Sequence, residues 1–194
     1  DPKHAPTLQA WALLEKEQGQ IERARQLFAQ AAQADPKNAP TYQAWALLEK
    51  EQGNVEAARH LFAQAAQADP KDAPTYQAWA LLEKEQGNAR QAWEILERGL
   101  CQVQEKRGRA LLHSTLGGLL ARQKDYEQAE RHFQEALRLH PKDPLTHYHY
   151  AVDCLAPQRL LDQACQHLRR AQELRPRKAR DRRRIEQALQ KYCR

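Results

Sequence analysis

Apolar residues along this chain recur at helical spacing, and the spacing restarts every 34 residues. Between residues 39 and 72, Tyr42, Trp45, Ala46 and Glu49 fall at i, i+3, i+4 and i+7, which is one face of a helix. Ala58, Leu61, Phe62 and Ala65 repeat the spacing after a break at Gly53-Asn54. Gly53 supplies the left-handed residue that ends the first helix, and Asn54 is placed to cap the second. Pro70 stops the second helix, because proline biases the residue before it away from helix. Pro40 falls in a first turn, where its missing N–H costs nothing. Each such stretch predicts one helical hairpin.

The copies are close to literal at the start. Asp-Pro-Lys recurs at residues 1–3, 35–37 and 69–71, and residues 5–38 and 39–72 agree at 28 of 34 positions. Ala39 to Asn54 recurs unchanged from Ala73 to Asn88. The third copy keeps Tyr76, Trp79, Ala80 and Glu83, then diverges at Ala92, Trp93, Leu96 and Gly99, with about three extra residues read as lengthening its exit. A fourth carries Leu116, Gly117, Ala129, Phe133, Ala136 and Pro141. A fifth carries Tyr148, Ala151, Ala164, Leu168, Ala171 and Pro176, with one extra residue near Ala156-Pro157. The expected hairpins are 5–38, 39–72, 73–109, 110–143 and 144–177. Residues 178–194 then form a polar last helix with Ile185, Leu189 and Tyr192 as its apolar stripe, suited to shield the final repeat from water. The fold class this predicts is an all-α solenoid forming a single repeat domain.

Composition narrows the function. No apolar stretch approaches the roughly 18 residues that span a bilayer, and no secretory signal is present, so no membrane is expected as a partner. The four cysteines, Cys101, Cys154, Cys165 and Cys193, form no CxxC pair. They read as reduced thiols, buried and inert at Cys154 and Cys165, in an intracellular, cytoplasmic protein. The chain contains no methionine and opens at Asp1-Pro2-Lys3, which reads as a fragment of a longer protein. Its net charge of +6 is uneven: −2 over residues 1–72, +1 over 73–143 and +7 over 144–194. Eight histidines raise the question of metal, but His147 and His149 are two apart on a helix and diverge, and no HExxH or zinc-ligand spacing occurs. Without a glycine-rich phosphate loop or a convergent nucleophile and base, the sequence offers nothing for an enzyme or a cofactor to rest on.

The alanine, aromatic and proline positions of the 34-residue unit resemble the tetratricopeptide repeat family over essentially the whole chain. The fourth unit matches best. The first three resemble the half-a-tetratricopeptide variant, whose pattern is present as Tyr42, Trp45, Glu49, Ala58-Arg59 and Leu61-Phe62. Unit one has Trp11, Glu15 and Ala24-Arg25 with Leu8 for the first aromatic, unit three has Trp93 for the arginine, and unit four has Leu120 and Glu130 in place of both charges. The resemblance implies a right-handed superhelix whose inner wall is lined by the first helices. The glutamate and arginine are expected to form a partly shielded link between helices.

In that geometry the groove candidates are Gln9, Leu13 and Lys16, then Gln43, Leu47 and Lys50, then Gln77, Leu81 and Lys84. Units four and five are expected to add Ser114, Gly118, Ala121 and Arg122, then Tyr148, Val152 and Leu155. A glutamine–leucine–lysine row repeated three times suits a ligand with regular spacing, such as an extended peptide or a phosphate backbone. It is equally the outcome of recent duplication. The lysines and asparagines with which some family members clamp a C-terminal carboxylate are absent, since Gln9, Leu13 and Gln43 stand in their places.

Arg169, Arg170, Arg175, Arg177, Lys178, Arg180, Arg182, Arg183 and Arg184 make a second candidate, a basic patch able to hold RNA or an acidic partner through counterion release. It lacks interleaved aromatics before Tyr192, so it also fits a solvated cap. The expected function is protein–protein recognition through the groove, with RNA binding as the alternative. Self-association is a third possibility, because no capping element precedes the first helix at Pro6.

Overall fold

The structure, a computed structural model, describes residues 4–193. Among these are eleven α-helices and no strand. The fold is an all-α array of helical hairpins, in two compact units, Asp1–Ile95 and Leu96–Arg194.

Unit one contains α1 (Ala5–Glu17), α2 (Ile21–Ala34), α3 (Ala39–Glu51), α4 (Val55–Ala68), α5 (Ala73–Glu85) and the start of α6 (Ala89–Gln102). The first helix of a hairpin ends at a glycine with positive φ, 76° at Gly19, 78° at Gly53 and 80° at Gly87, where a side chain would be strained. The next first helix is capped by the residue before its alanine-proline pair. Asn38 accepts from the Thr41 amide at 3.2 Å, and Asp72 from the Thr75 amide at 3.0 Å. Asn54 departs from expectation. Its side chain makes no cap and instead donates from Nδ2 to Glu49 at 2.7 Å, a charge-assisted bond to an ionised carboxylate.

Packing follows the alanines. Ala12, Ala24 and Ala31 are fully buried with Phe28 in hairpin one, and Leu48 of α3 joins that cluster. Ala46, Ala58, Ala65 and Phe62 repeat the arrangement in hairpin two, joined by Leu82 of α5. These two hairpins each complete their core with a leucine from the following first helix, and the indole of Trp45 stacks on Phe28 at 6.4 Å. This nearest-neighbour sharing stabilises a solenoid, since a lone hairpin leaves one apolar face wet.

Unit two holds the remainder of α6, then α7 (Lys106–Arg122), α8 (Tyr126–Leu139), α9 (Pro144–His149), α10 (Leu161–Glu173) and α11 (Ala179–Tyr192). Two length irregularities are absorbed differently from the sequence reading. The extra residues before hairpin four do not lengthen an exit loop. They add a first turn to α7, which starts at Lys106 under a cap from Glu105 to the amides of Arg107 and Gly108. The extra residue of hairpin five is taken up upstream of Pro157 as a π-helical turn over Tyr150–Leu155, followed by a 3-10 turn over Ala156–Gln158. Gly117 permits close helix packing, because a Cβ there would lie 2.9 Å from the Phe133 ring. The core gathers Phe133, Tyr150, Ala151, Cys154, Leu155 and Leu168, with Ala188 of α11 sealing it.

The cysteine reading is corrected. Cys165 and Cys193 form a disulfide that ties α10 to the residue after α11, with Cα atoms 5.4 Å apart. Residues 28 apart in sequence carry no recognisable spacing, yet antiparallel packing of the two helices brings them together. Cys154 is a buried free thiol, pushed up to about 11 by burial, and Cys101 is free and exposed. Among the described residues no helix is long and apolar enough to cross a membrane.

Candidate binding surface

In unit one the first helices α1, α3 and α5 present the expected row, but its lysines and two of its three glutamines are engaged. The Gln9 amide donates to the Pro40 carbonyl at 3.4 Å and accepts from the Thr41 hydroxyl at 3.3 Å. Lys16 pairs with Glu51, and Lys50 with Glu85, each at 2.8 Å. Gln77 and Lys84 are engaged as well. Lys16 and Glu51 stand 35 residues apart, one repeat plus one, so the 34-residue period itself sets the lysine of one first helix beside a glutamate of the next. The lysines therefore staple neighbouring hairpins, and what protrudes is leucine. Leu13 and Leu47 are 38% and 37% exposed, Leu81 is half-buried, and Gln43 is half-buried between them.

A second set of residues locks the hairpins from beneath. Arg25 donates from Nε and Nη2 to the two oxygens of Glu49 at 2.7 and 2.9 Å, and Trp45 and Asn54 donate to the same carboxylate. Arg59, Glu83 and Asn88 repeat the arrangement one hairpin on. Burial pushes both carboxyls up, but the hydrogen bonds from arginine and asparagine outweigh it and hold Glu49 and Glu83 below the usual range. This is the glutamate–arginine link expected from the sequence, and it runs between consecutive hairpins. Among the described residues, Glu15 meets Trp11 and the exposed Arg23. Accordingly α1 leaves Trp11 46% and Leu14 50% exposed, whereas Leu48 and Leu82 at the same register are buried.

A cleft of about 570 Å³ opens on the other layer of unit one, between α2 and α4, floored by Tyr42, Trp45 and Leu61 and edged by Gln33, His60 and Gln64. Alanines at 29, 32 and 57 leave it open.

In unit two the expected groove residues divide. Ser114 and Tyr148 are half-buried and Arg122 is exposed, but Ala121 and Leu155 belong to the core and cannot meet a ligand. Leu155 closes the π-helical turn and is fully buried. Tyr148 meets the edge of the His149 ring at 5.2 Å, and His149 pairs with Asp153 at 2.9 Å. A Cβ on Gly118 would approach only Asp153 there, at 4.0 Å. Burial raises the Tyr148 hydroxyl, with Asp153 adding to the rise and Arg184 opposing it, which places an α11 arginine in the field of this tyrosine.

All nine members of the basic patch are exposed. Arg170 pairs with Glu173 at 2.9 Å, Arg180 lies 3.7 Å from Asp181, and Arg182 donates to the carbonyls of Pro176 and Arg177. Arg183 and Arg184 follow Arg180 at i+3 and i+4, so α11 turns a continuous arginine face to solvent opposite its buried Ile185 and Ala188.

Two histidine pairs lie outside the sequence reading. Nδ1 of His113 is 3.0 Å from Nδ1 of His132, and Nδ1 of His147 is 2.8 Å from Nδ1 of His167. Among the described residues no three His, Cys, Asp or Glu side chains gather into a metal-binding group.

Tetratricopeptide repeat models match residues 15–84 and 110–143, together more than half of the chain. The chain belongs to the tetratricopeptide repeat family. No curated protein sequence matches it. Among solved structures, this tetratricopeptide repeat protein is similar to pilF of Pseudomonas aeruginosa at 20% identity and a TM-score of 0.70, over 97% of this chain and 84% of that one. YrrB, described as a TPR protein with an unusual peptide-binding site, aligns at 18% identity and 0.59 over 97% and 93%. A thermophilic TPR protein of Thermus thermophilus, TTC0263, aligns at 20% and 0.71 over 96% and 99%. At such identities the likeness is one of fold.

Proposed function

We propose that this chain is a protein-interaction scaffold that receives an extended peptide along the first-helix face of unit one. The row of Leu13, Leu47 and Leu81 carries the reading: leucines at one register in successive first helices, the first two more than a third exposed. Leucines that contribute to a core in this unit, such as Leu48 and Leu82, are fully covered, so exposure at the neighbouring position is not a packing necessity. The flanking lysine–glutamate bridges are electrically balanced, which favours an apolar, uncharged segment over an acidic one. A peptide site in the similarly folded YrrB supports the reading by analogy.

Selection from a random peptide display library tests it. Selected peptides should carry spaced apolar side chains and bind the variant Leu13→Asp/Leu47→Asp/Leu81→Asp at least roughly tenfold more weakly, as expected when charge is placed in an apolar contact. Equal binding to both proteins contradicts the reading.

A second reading, RNA held by the basic end, is favoured by the exposed arginine face of α11 and the Arg184 charge near Tyr148. The two separate in a salt titration: RNA affinity falls steeply as salt rises, whereas apolar peptide contacts change little. The exposed Trp11 and Leu14 also support self-association through α1, which sedimentation over a range of concentrations measures.

A further inference from the structure

The repeat register aligns one side-chain pair in every hairpin. In hairpins one and two it is Leu8 with Leu27 and Tyr42 with Leu61, buried members of the two core clusters. Hairpin three has Tyr76 and Ile95 at these positions. In hairpins four and five the same positions hold His113 with His132 and His147 with His167, so two imidazole pairs replace what elsewhere is apolar packing.

The rings meet end to end. Their centroids lie 5.2 and 5.1 Å apart while the facing nitrogens are 3.0 and 2.8 Å apart, so each nitrogen points at its partner along the line joining the rings. That is an N–H···N hydrogen bond, which needs one donor and one acceptor. Lone pairs aimed at each other do not converge on a third point, as a chelated metal requires. In the second pair, His147 Nε2–H donates to the Pro141 carbonyl at 3.2 Å. Neutral His147 therefore accepts at Nδ1, and His167 donates.

We propose that the two imidazole pairs form an acid-sensitive latch that closes hairpins four and five, holding while one ring of each pair is neutral and opening when both are protonated. Double protonation would set two N–H groups and two positive charges against each other in a half-buried place, and among the described residues no carboxylate hydrogen-bonds to any of the four rings. The charged groups that reach the first pair are Glu97 of α6, Arg109 of α7, and Glu135 and Arg138 of α8. Those at the second are Asp143 before α9 and Arg170 of α10, with the Tyr150 ring edge-on to His167 and its hydroxyl passed to Glu130 of α8. Burial first, and the partner histidine second, bring His113 and His167 down to about 4; burial also lowers His132 and His147. Unfolded histidine takes its proton near 6.5, so the unfolded chain binds more protons below that pH. The latch is therefore at full strength at neutral pH and above, and is lost as pH falls from about 6.5 toward 4.

The whole chain supplies its own control, because its four tryptophans, Trp11, Trp45, Trp79 and Trp93, all lie in unit one, while the ring signals of His113, His132, His147 and His167 report unit two. Urea unfolding from pH 7 to pH 5 should lower the folded-to-unfolded ratio of unit two by roughly tenfold or more. His113→Leu/His132→Leu and His147→Tyr/His167→Leu install the pairs of hairpins one and two and should remove most of that loss. An undiminished acid loss in these variants, or none in the parent, overturns the proposal. If the variants do not fold, the parent decides alone: ring signals of the four histidines titrating below pH 6 support the latch, and titration at 6.5 or above contradicts it.

Discussion

The guanidinium of Arg25 spans the gap between two hairpins to hold both oxygens of Glu49, and 34 residues later Arg59 holds Glu83 in the same way. The carboxylates are almost fully covered and the arginines about three-quarters covered, so each link is screened far less than a surface pair. Arg25→Ala, Glu49→Ala and the double variant should give a coupling of about 1–2 kcal/mol in urea unfolding of unit one. A coupling indistinguishable from zero would mean the link is an ornament of the packing.

The same link sets an acid limit for unit one. Glu49 and Glu83 are held below the ordinary carboxylate range, so their contribution is present above about pH 4.5 and is lost as pH falls through their lowered folded values. Tryptophan fluorescence should show unit one losing stability below that pH, and Glu49→Gln with Glu83→Gln should flatten the loss.

Much of this was legible beforehand, because a 34-residue period with alanine at 46, 58 and 65 leaves little besides paired helices in close contact. The glutamate–arginine link was an expectation from the family resemblance, which singles out those two residue types in the unit. What escaped were choices between competing partners. Asn54 had a vacant helix end and a nearby carboxylate, and local spacing cannot rank them. Lys16 was expected to line the groove, but it pairs one repeat plus one residue along, with Glu51. The histidine pairs carried a usable signal, since aligning the hairpins position by position sets His113 and His132 against Leu8 and Leu27. Cys165 and Cys193 carried none: only the turn between α10 and α11 decides that they meet.

That disulfide should matter to unit two. Closing a loop across 28 residues restricts the unfolded chain by about 3.5 kcal/mol in the chain-entropy picture. Reduction, or Cys165→Ala with Cys193→Ala, should lower the urea midpoint of unit two and leave the tryptophan-reported midpoint of unit one in place. Equal midpoints with and without reductant would mean the cross-link constrains nothing.

Gly117 offers a sharper steric test. A Cβ there meets the Phe133 ring at 2.9 to 3.0 Å, against a side chain with no exposure. Gly117→Ala should cost about 1–3 kcal/mol despite alanine's better helix propensity. Gly117→Ala with Phe133→Leu should recover part of the loss, as circular dichroism melts would record.

The central claim is that the leucine row of α1, α3 and α5 meets a peptide. Leucine methyl spectra of the whole chain, recorded with and without a display-selected peptide, test it most directly. The account predicts that the Leu13, Leu47 and Leu81 methyls shift and show contacts to the peptide, while buried Leu48 and Leu82 hold still. Peptide contacts confined instead to Leu61 and the cleft between α2 and α4, with the row unmoved, would contradict it.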